Sequence, residues 1–148
     1  MNITCARIAE APNRMVARAM NAIGSLGMRK DHLERIAVAK KRVLFVCTCA
    51  QARSPTAEEM FSGATVEAKS AGTSTDSPNR VTTELINWAE IIFAMEEKHK
   101  QYLIEVDNSS LHKILVLDIP DIFGRNQPEL RQLLLNKVQP YFEKFNIE

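Results

Sequence analysis

No stretch of this 148-residue chain is apolar for long enough to cross a membrane, so no membrane partner is expected. Cysteine is sparse. Cys5, Cys47 and Cys49 make an odd count, which argues against a secreted disulfide scaffold and for a reducing compartment. The first thirty residues lack the continuous apolar core of a signal peptide, and Glu10 and the shortage of serine argue against an organelle transit peptide, so a cytoplasmic protein is expected. There is no internal repeat and no low-complexity segment. A strong charge of either sign is also missing. The net charge is +1, which by itself points to no polyanionic partner. That average hides an asymmetry: residues 1–42 carry 9 Lys/Arg against 3 Asp/Glu, and residues 43–148 carry 10 against 15.

What is present organises into a single domain with an extension. Four short apolar runs read as buried strands: Val43–Cys47, Thr65–Lys69, Ile91–Met95 and Ile114–Leu117. Helical spacing fills the gaps, at Pro55–Ser62, Val81–Ala89, Glu96–Glu105 and Pro128–Phe145. Alternation at this rhythm predicts βαβ units and a parallel sheet covered on both faces. In the last helix Leu130, Leu133, Leu134, Val138, Tyr141, Phe142 and Phe145 form an apolar stripe, which reads as core, as does Trp88 at the end of the second helix.

Residues 1–40 stand apart. Pro12 opens a helical pattern over Met15, Val16, Ala19, Met20, Ile23 and Leu26 that stops at Gly27, and Asp31 caps a second one over His32–Ala39. No aromatic or basic stripe accompanies these helices, so an appended arm that packs on the domain, or pairs two copies as a homodimer, is expected over a nucleic-acid-binding helix pair. Residues 41–148 form the α/β domain.

The chemistry concentrates where the first strand ends, in V-L-F-V-C-T-C-A-Q-A-R-S-P-T-A-E from Val43 to Glu58. A loop between a parallel strand and the next helix turns backbone N–H groups and the helix's positive end toward an anion. A cysteine at the start of such a loop sees a positive potential, the setting that favours its nucleophilic thiolate form. Arg53 offers a planar fork that matches two phosphate oxygens. Ser54 stands where it can donate to the sulfur, and Pro55 has no N–H to leave unpaired in the first turn. The pattern suits nucleophilic attack on phosphorus.

The run V-L-F-V-C-x5-R-S-P-T-A-E resembles the signature of the low-molecular-weight protein tyrosine phosphatases, most closely a short bacterial branch of that family. Ser70-Ala71-Gly72-Thr73 is similar to the S-A-G-T placed after the family's second strand. Ile91-Ile92-Phe93-Ala94-Met95-Glu96 is similar to its third strand with M-[DE], and Leu117-Asp118-Ile119-Pro120-Asp121 to the loop that supplies its general acid. The resemblance spans residues 42–145, in order. It implies a three-layer, doubly wound, four-stranded parallel sheet of order 2-1-3-4. It implies a phosphomonoester hydrolase acting on phosphotyrosyl proteins or small aryl phosphates, with no cofactor and no metal. Cys47 would be the nucleophile, Arg53 the phosphate clamp, Ser54 the stabiliser of the leaving thiolate and Asp121 the general acid, with Asp118 its rival. Thr48, Cys49, Ala50, Gln51 and Ala52 would line the phosphate loop. Phe123 would flank the substrate ring or belong to the core.

The chain departs from that pattern in three places. Cys49 and Ala50 stand where the family usually has Gly and Asn, and a left-handed Ala costs on the order of 1 kcal/mol. Ala52 replaces a cysteine that protects the nucleophile in many members. The segment from Ser70 to Val81, which builds a substrate wall in longer members, is short. Cys49 reads as a small residue filling a glycine's place, since a Cys-x-Cys disulfide closes a strained ring and His32, His99 and His112 show no ligand spacing with it. Arsenate reduction needs a further cysteine pair, and no cysteine follows Cys49. A sugar-transport phosphocysteine carrier would not need Arg53. A phosphate-binding module with little turnover is the reading that Cys49 and Ala50 keep in play.

Overall fold

The computed structural model describes residues 40–145 and Ile147. The helices expected at Pro12–Gly27 and His32–Ala39, and the pairing of two copies through residues 1–40, lie outside the described residues apart from Lys40. The order of elements is β1 (Lys41–Cys47), α1 (Arg53–Phe61), β2 (Val66–Gly72), α2 (Thr83–Trp88), β3 (Ile91–Ala94), α3 (Glu97–Val106), a 3₁₀ turn (Asn108–Lys113), β4 (Ile114–Val116) and α4 (Pro128–Lys144). All neighbouring strands are parallel and the sheet order is β2-β1-β3-β4, as expected. No helix among the described residues is long and apolar enough to cross a membrane.

The strands read as unbroken apolar runs because both faces of the sheet are covered. Alternate residues of β1 enter two separate cores. Val43, Phe45 and Cys47 join Ala57 of α1 and Leu130, Leu134, Val138 and Phe142 of α4. Leu44 and Val46 join Ile86 of α2 and Leu103 of α3 on the opposite face. An aromatic group fixes the first core: Phe45 stacks on Phe93 at 5.4 Å and on Phe61 at 5.7 Å, and Phe142 meets Phe61 edge-on at 5.3 Å.

Element ends differ from the sequence expectation for local reasons. Strand β2 runs on to Gly72 rather than stopping at Lys69, because Ser70, Ala71 and Gly72 keep pairing with Phe45, Val46 and Cys47. The Ser-Ala-Gly segment is therefore the end of the strand, not the loop after it. Helix α1 starts at Arg53, ahead of Pro55, which still lies in the first turn where a missing N–H costs nothing. Helix α2 starts after Thr82, whose Oγ1 accepts from Leu85 N at 3.1 Å, and Lys113 Nζ covers its last carbonyls at Ile86 and Ala89, 2.6 and 2.7 Å away. Phe145 falls just beyond α4 and is 41% exposed, so it leaves the core stripe; Leu133 and Tyr141 are half-buried against it. Trp88 is half-buried on the second core, with Lys69 Nζ 4.4 Å above its ring.

Replacing Phe93 by Ala removes the ring shared by β3, β1 and α4. It is expected to destabilise the domain by about 3–5 kcal/mol, read as a lower urea midpoint with an unchanged slope.

Candidate active site

Parallel strands direct their C-terminal ends to one edge of the sheet, and the loops after β1, β2, β3 and β4 meet there. Cys47 ends β1 with its side chain 3% exposed. The loop 48–52 carries the chain into α1. Its turn requires a left-handed residue, and Ala50 supplies it at φ 56°. This aims the Ala50 N–H at Cys47 Sγ, 3.2 Å away. Ser54, fully buried in the first turn of α1, sets its Oγ 3.0 Å from the same sulfur. Thr48 and Cys49 are half-buried, Gln51 is exposed and Ala52 is intermediate. Cys47 and Cys49 are both free thiols.

The end of β2 braces this loop. Thr73 N donates to Cys47 O at 3.0 Å and Ser74 N to Thr48 O at 2.8 Å. Gly72 is the residue that lets the two backbones approach: a Cβ there would lie 2.6 Å from Thr48 O and 2.4 Å from Ser77 Oγ. The short segment after it folds back on itself, with Gly72 N donating to Asn79 O, Val81 N to Gly72 O, and the Asn79 amide to Ser70 O. Ser70 Oγ in turn donates to Glu58 of α1 at 2.6 Å.

Arg53 is 1% exposed. Its Nη1 donates to Glu96 Oε1 at 2.6 Å and to Ile119 O at 2.7 Å, and its Nε lies 3.7 Å from Asp121 Oδ1. Glu96 follows β3 and caps α3, so the turns after β3 and β4 together orient the guanidinium. That cation holds the Glu96 carboxyl below its ordinary value, chiefly through the hydrogen bond.

The loop after β4 carries both candidate aspartates. Asp118 sits at its start with φ 55° and is exposed, with no hydrogen bond or ion pair among the described residues. Asp121 is the one that faces Arg53. Asn126 N donates to Thr56 Oγ1 at 2.9 Å and its side chain to Glu59 at 3.1 Å, while Arg125 approaches Glu59 at 3.5 Å, so the loop is fastened to α1. Phe123 is half-buried against the first core, and Ile122 beside it is 75% exposed.

Glu96 and His99 were not expected at the site. Sequence reasoning weighed His99 only as a metal ligand, yet it is fully buried here, with Nε2 2.9 Å from Thr48 Oγ1 and Nδ1 accepting from Glu96 N at 3.0 Å. The available signal was its place three residues after a helix cap. Among the described residues, no group of three or more His, Cys, Asp and Glu side chains is arranged to hold a metal ion.

Two expectations follow. Gly72→Ala forces the β2 end away from Thr48 O, and is expected to lower stability by about 1–3 kcal/mol and to weaken phosphate binding, measured by denaturation and by phosphate titration. The second concerns pH. Burial, with Arg53 second, pushes His99 down from 6.5 to about 4. The unfolded chain takes up this proton near 6.5 while the folded chain refuses it down to about 4, so stability is complete above that window and falls as pH descends through it. Denaturation midpoints are expected to drop between those limits, and His99→Gln is expected to remove most of the slope above pH 4.5, below which Glu96 adds its own loss.

Residues 42–89 match the family model described as low molecular weight phosphotyrosine protein phosphatase. The fold is similar to that of an arginine phosphatase, YwlE, from Geobacillus stearothermophilus, at 26% identity over 70% of this chain and 96% of that one, with a TM-score of 0.53. It is also similar to Wzb of Vibrio vulnificus, solved with benzylphosphonate, at 20% identity over 72% and 99% of the two chains, TM-score 0.57. The tyrosine phosphatase Wzb of Escherichia coli K30, solved with phosphate, gives 17% identity over the same shares and a TM-score of 0.57. A search of curated protein sequences gives no match. The family match covers the loop after β1 together with α1, β2 and α2, and beyond residue 89 the likeness to these phosphatases is one of fold.

Proposed function

We propose that the chain hydrolyses phosphotyrosyl proteins or small aryl phosphates through a phosphocysteine intermediate. The observation that carries this reading is the convergence on one sulfur: Cys47 Sγ receives the Ala50 N–H at 3.2 Å and faces Ser54 Oγ at 3.0 Å, with the buried Arg53 next to Ser54 in the chain.

In the first step the Cys47 sulfur attacks phosphorus. The S–P bond forms, the P–O bond to the aryl group breaks, and Asp121 passes its proton to the departing oxygen. The loop amides of residues 48–52 and Arg53 face the phosphoryl oxygens as charge gathers on them. Nη1 of Arg53 is occupied by Glu96 and Ile119, which leaves the Nε–Nη2 edge for a two-point grip on phosphate once Asp121 turns from Nε to the leaving group. In the second step Asp121 takes a proton from water as the water oxygen attacks phosphorus. The S–P bond breaks, phosphate leaves, and Ser54 stabilises the sulfur as it regains its electron pair. Asp121 is preferred to Asp118 because it reaches Arg53 while Asp118 points to no described partner.

The left-handed Ala50 favours a second reading, a phosphate-binding module with little turnover, since part of the loop's stability is spent on its backbone. The family's catalysis favours the first.

Aryl phosphate hydrolysis with a chelator present separates them. Wild type is expected to turn over; Cys47→Ser is expected to abolish turnover; Asp121→Asn is expected to lower it by roughly 10²–10⁴. Turnover that survives Cys47→Ser sinks the mechanism, and phosphate binding without turnover supports the binding module. Phosphoarginine offered in parallel tells an ester substrate from the kind named for the Geobacillus protein.

A further inference from the structure

We propose that His99 is a positioning residue for this hydrolysis, holding the Thr48 hydroxyl so that its proton is presented to the phosphoryl group in the loop. The inference rests on the reading of residues 47–53 as the phosphate cradle.

His99 Nδ1 faces the Glu96 N–H at 3.0 Å, so Nδ1 is an acceptor and carries no proton. The ring is fully buried, and Arg53 and Lys98 are cations near it, against the carboxylates of Glu96 and Asp121. Burial and the Arg53 charge outweigh the carboxylates and keep the ring neutral. Its one proton is therefore on Nε2, and Nε2 donates to Thr48 Oγ1 at 2.9 Å.

A hydroxyl that accepts still has its own proton to give. No acceptor for the Thr48 proton is found among the described residues, where its only side-chain partner is His99. Thr48 directly follows Cys47, and its backbone is pinned because its carbonyl accepts from Ser74 N at 2.8 Å while Cys47 O accepts from Thr73 N at 3.0 Å. Its β-branched side chain has few rotamers, and His99 selects among them. A phosphoryl group in the cradle supplies the missing acceptor.

The same four-residue unit holds the cation. Glu96 grips Arg53 at 2.6 Å while its backbone N–H fixes His99, so the start of α3 aligns a donor of the loop and the guanidinium together. His99 does this without exchanging a proton.

The variant pair His99→Gln and His99→Leu tests it. Glutamine is one of the two residues typical of the third helical position of a capping box: its carbonyl can accept the Glu96 N–H and its amide can donate to Thr48. Leucine offers neither. On an aryl phosphate, His99→Leu is expected to lower kcat about tenfold with KM nearly unchanged, and His99→Gln to keep most of kcat. Thr48→Val is expected to match the leucine variant, and the double variant to be no slower than either single one. The pH limbs of kcat are expected to stay in place. Imidazole ¹⁵N shifts of the wild type are expected to show one tautomer, protonated on Nε2, from pH 5 to 8. Equal losses in the two His99 variants, additive losses with Thr48→Val, a displaced limb, or a ring that titrates in that range would each overturn the inference. A wild type without turnover overturns the hydrolase reading alone. Inorganic phosphate titrated by NMR then reads the same link, with affinity expected to fall about tenfold in His99→Leu and to hold in His99→Gln; equal affinity in the two overturns it.

Discussion

Arg53 carries a full charge at 1% exposure, and a cation so placed is tolerated only where acceptors surround it. Glu96 and the carbonyl of Ile119 meet that demand on Nη1, and Asp121 stands off Nε. Glu96 follows β3, and Ile119 and Asp121 both follow β4. The turn after β3, the loop after β4 and the head of α1 must therefore close on one another for the guanidinium to be buried at all. The parallel sheet makes this feasible by bringing its C-terminal ends to a single edge. The site and the fold are coupled through that charge.

The loop itself is held from outside. Ala50 adopts a left-handed backbone that its side chain disfavours, at a cost of about 1 kcal/mol. What opposes this cost is the β2 end, where Gly72, Thr73 and Ser74 reach the Cys47 and Thr48 backbones, and the core beneath, where Cys47 packs with Phe45 and Ala57. Strain of this kind persists where surrounding structure over-determines it. The motif R-S-P-T-A-E-E divides its labour accordingly. Ser54 faces the Cys47 sulfur, and Arg53 reaches the turns after β3 and β4. Thr56 and Glu59 fasten the loop after β4, and Glu58 ties α1 to β2.

Much of this was legible beforehand. The four strands and four helices follow from apolar runs and helical spacing, and the sheet order follows from the family resemblance. Cys47 and Ser54 are seven residues apart, so their meeting is a local matter. The preference for Asp121 over Asp118 rested on the resemblance, and Asp121 lies 3.7 Å from Arg53 Nε. Less legible was the bracing by β2, because Ser70–Gly72 carry too little apolar character to read as strand. Their pairing depends on register with β1. The exposure of Phe145 likewise depends on where α4 ends against the core.

The sequence by itself determined the alternation of elements, the placing of Cys47 at the end of the first strand with Arg53 six residues on, and the Cys49-Ala50 pair between them. These are properties of neighbouring residues, and short-range spacing records them. Only the tertiary structure decided that Glu96 compensates Arg53 across 43 residues of chain, that His99 lies against Thr48 across 51, and that Gly72 must lack a side chain. Such contacts arise from strand order and parallel register, which bring distant strand ends to one edge, and no local pattern encodes them.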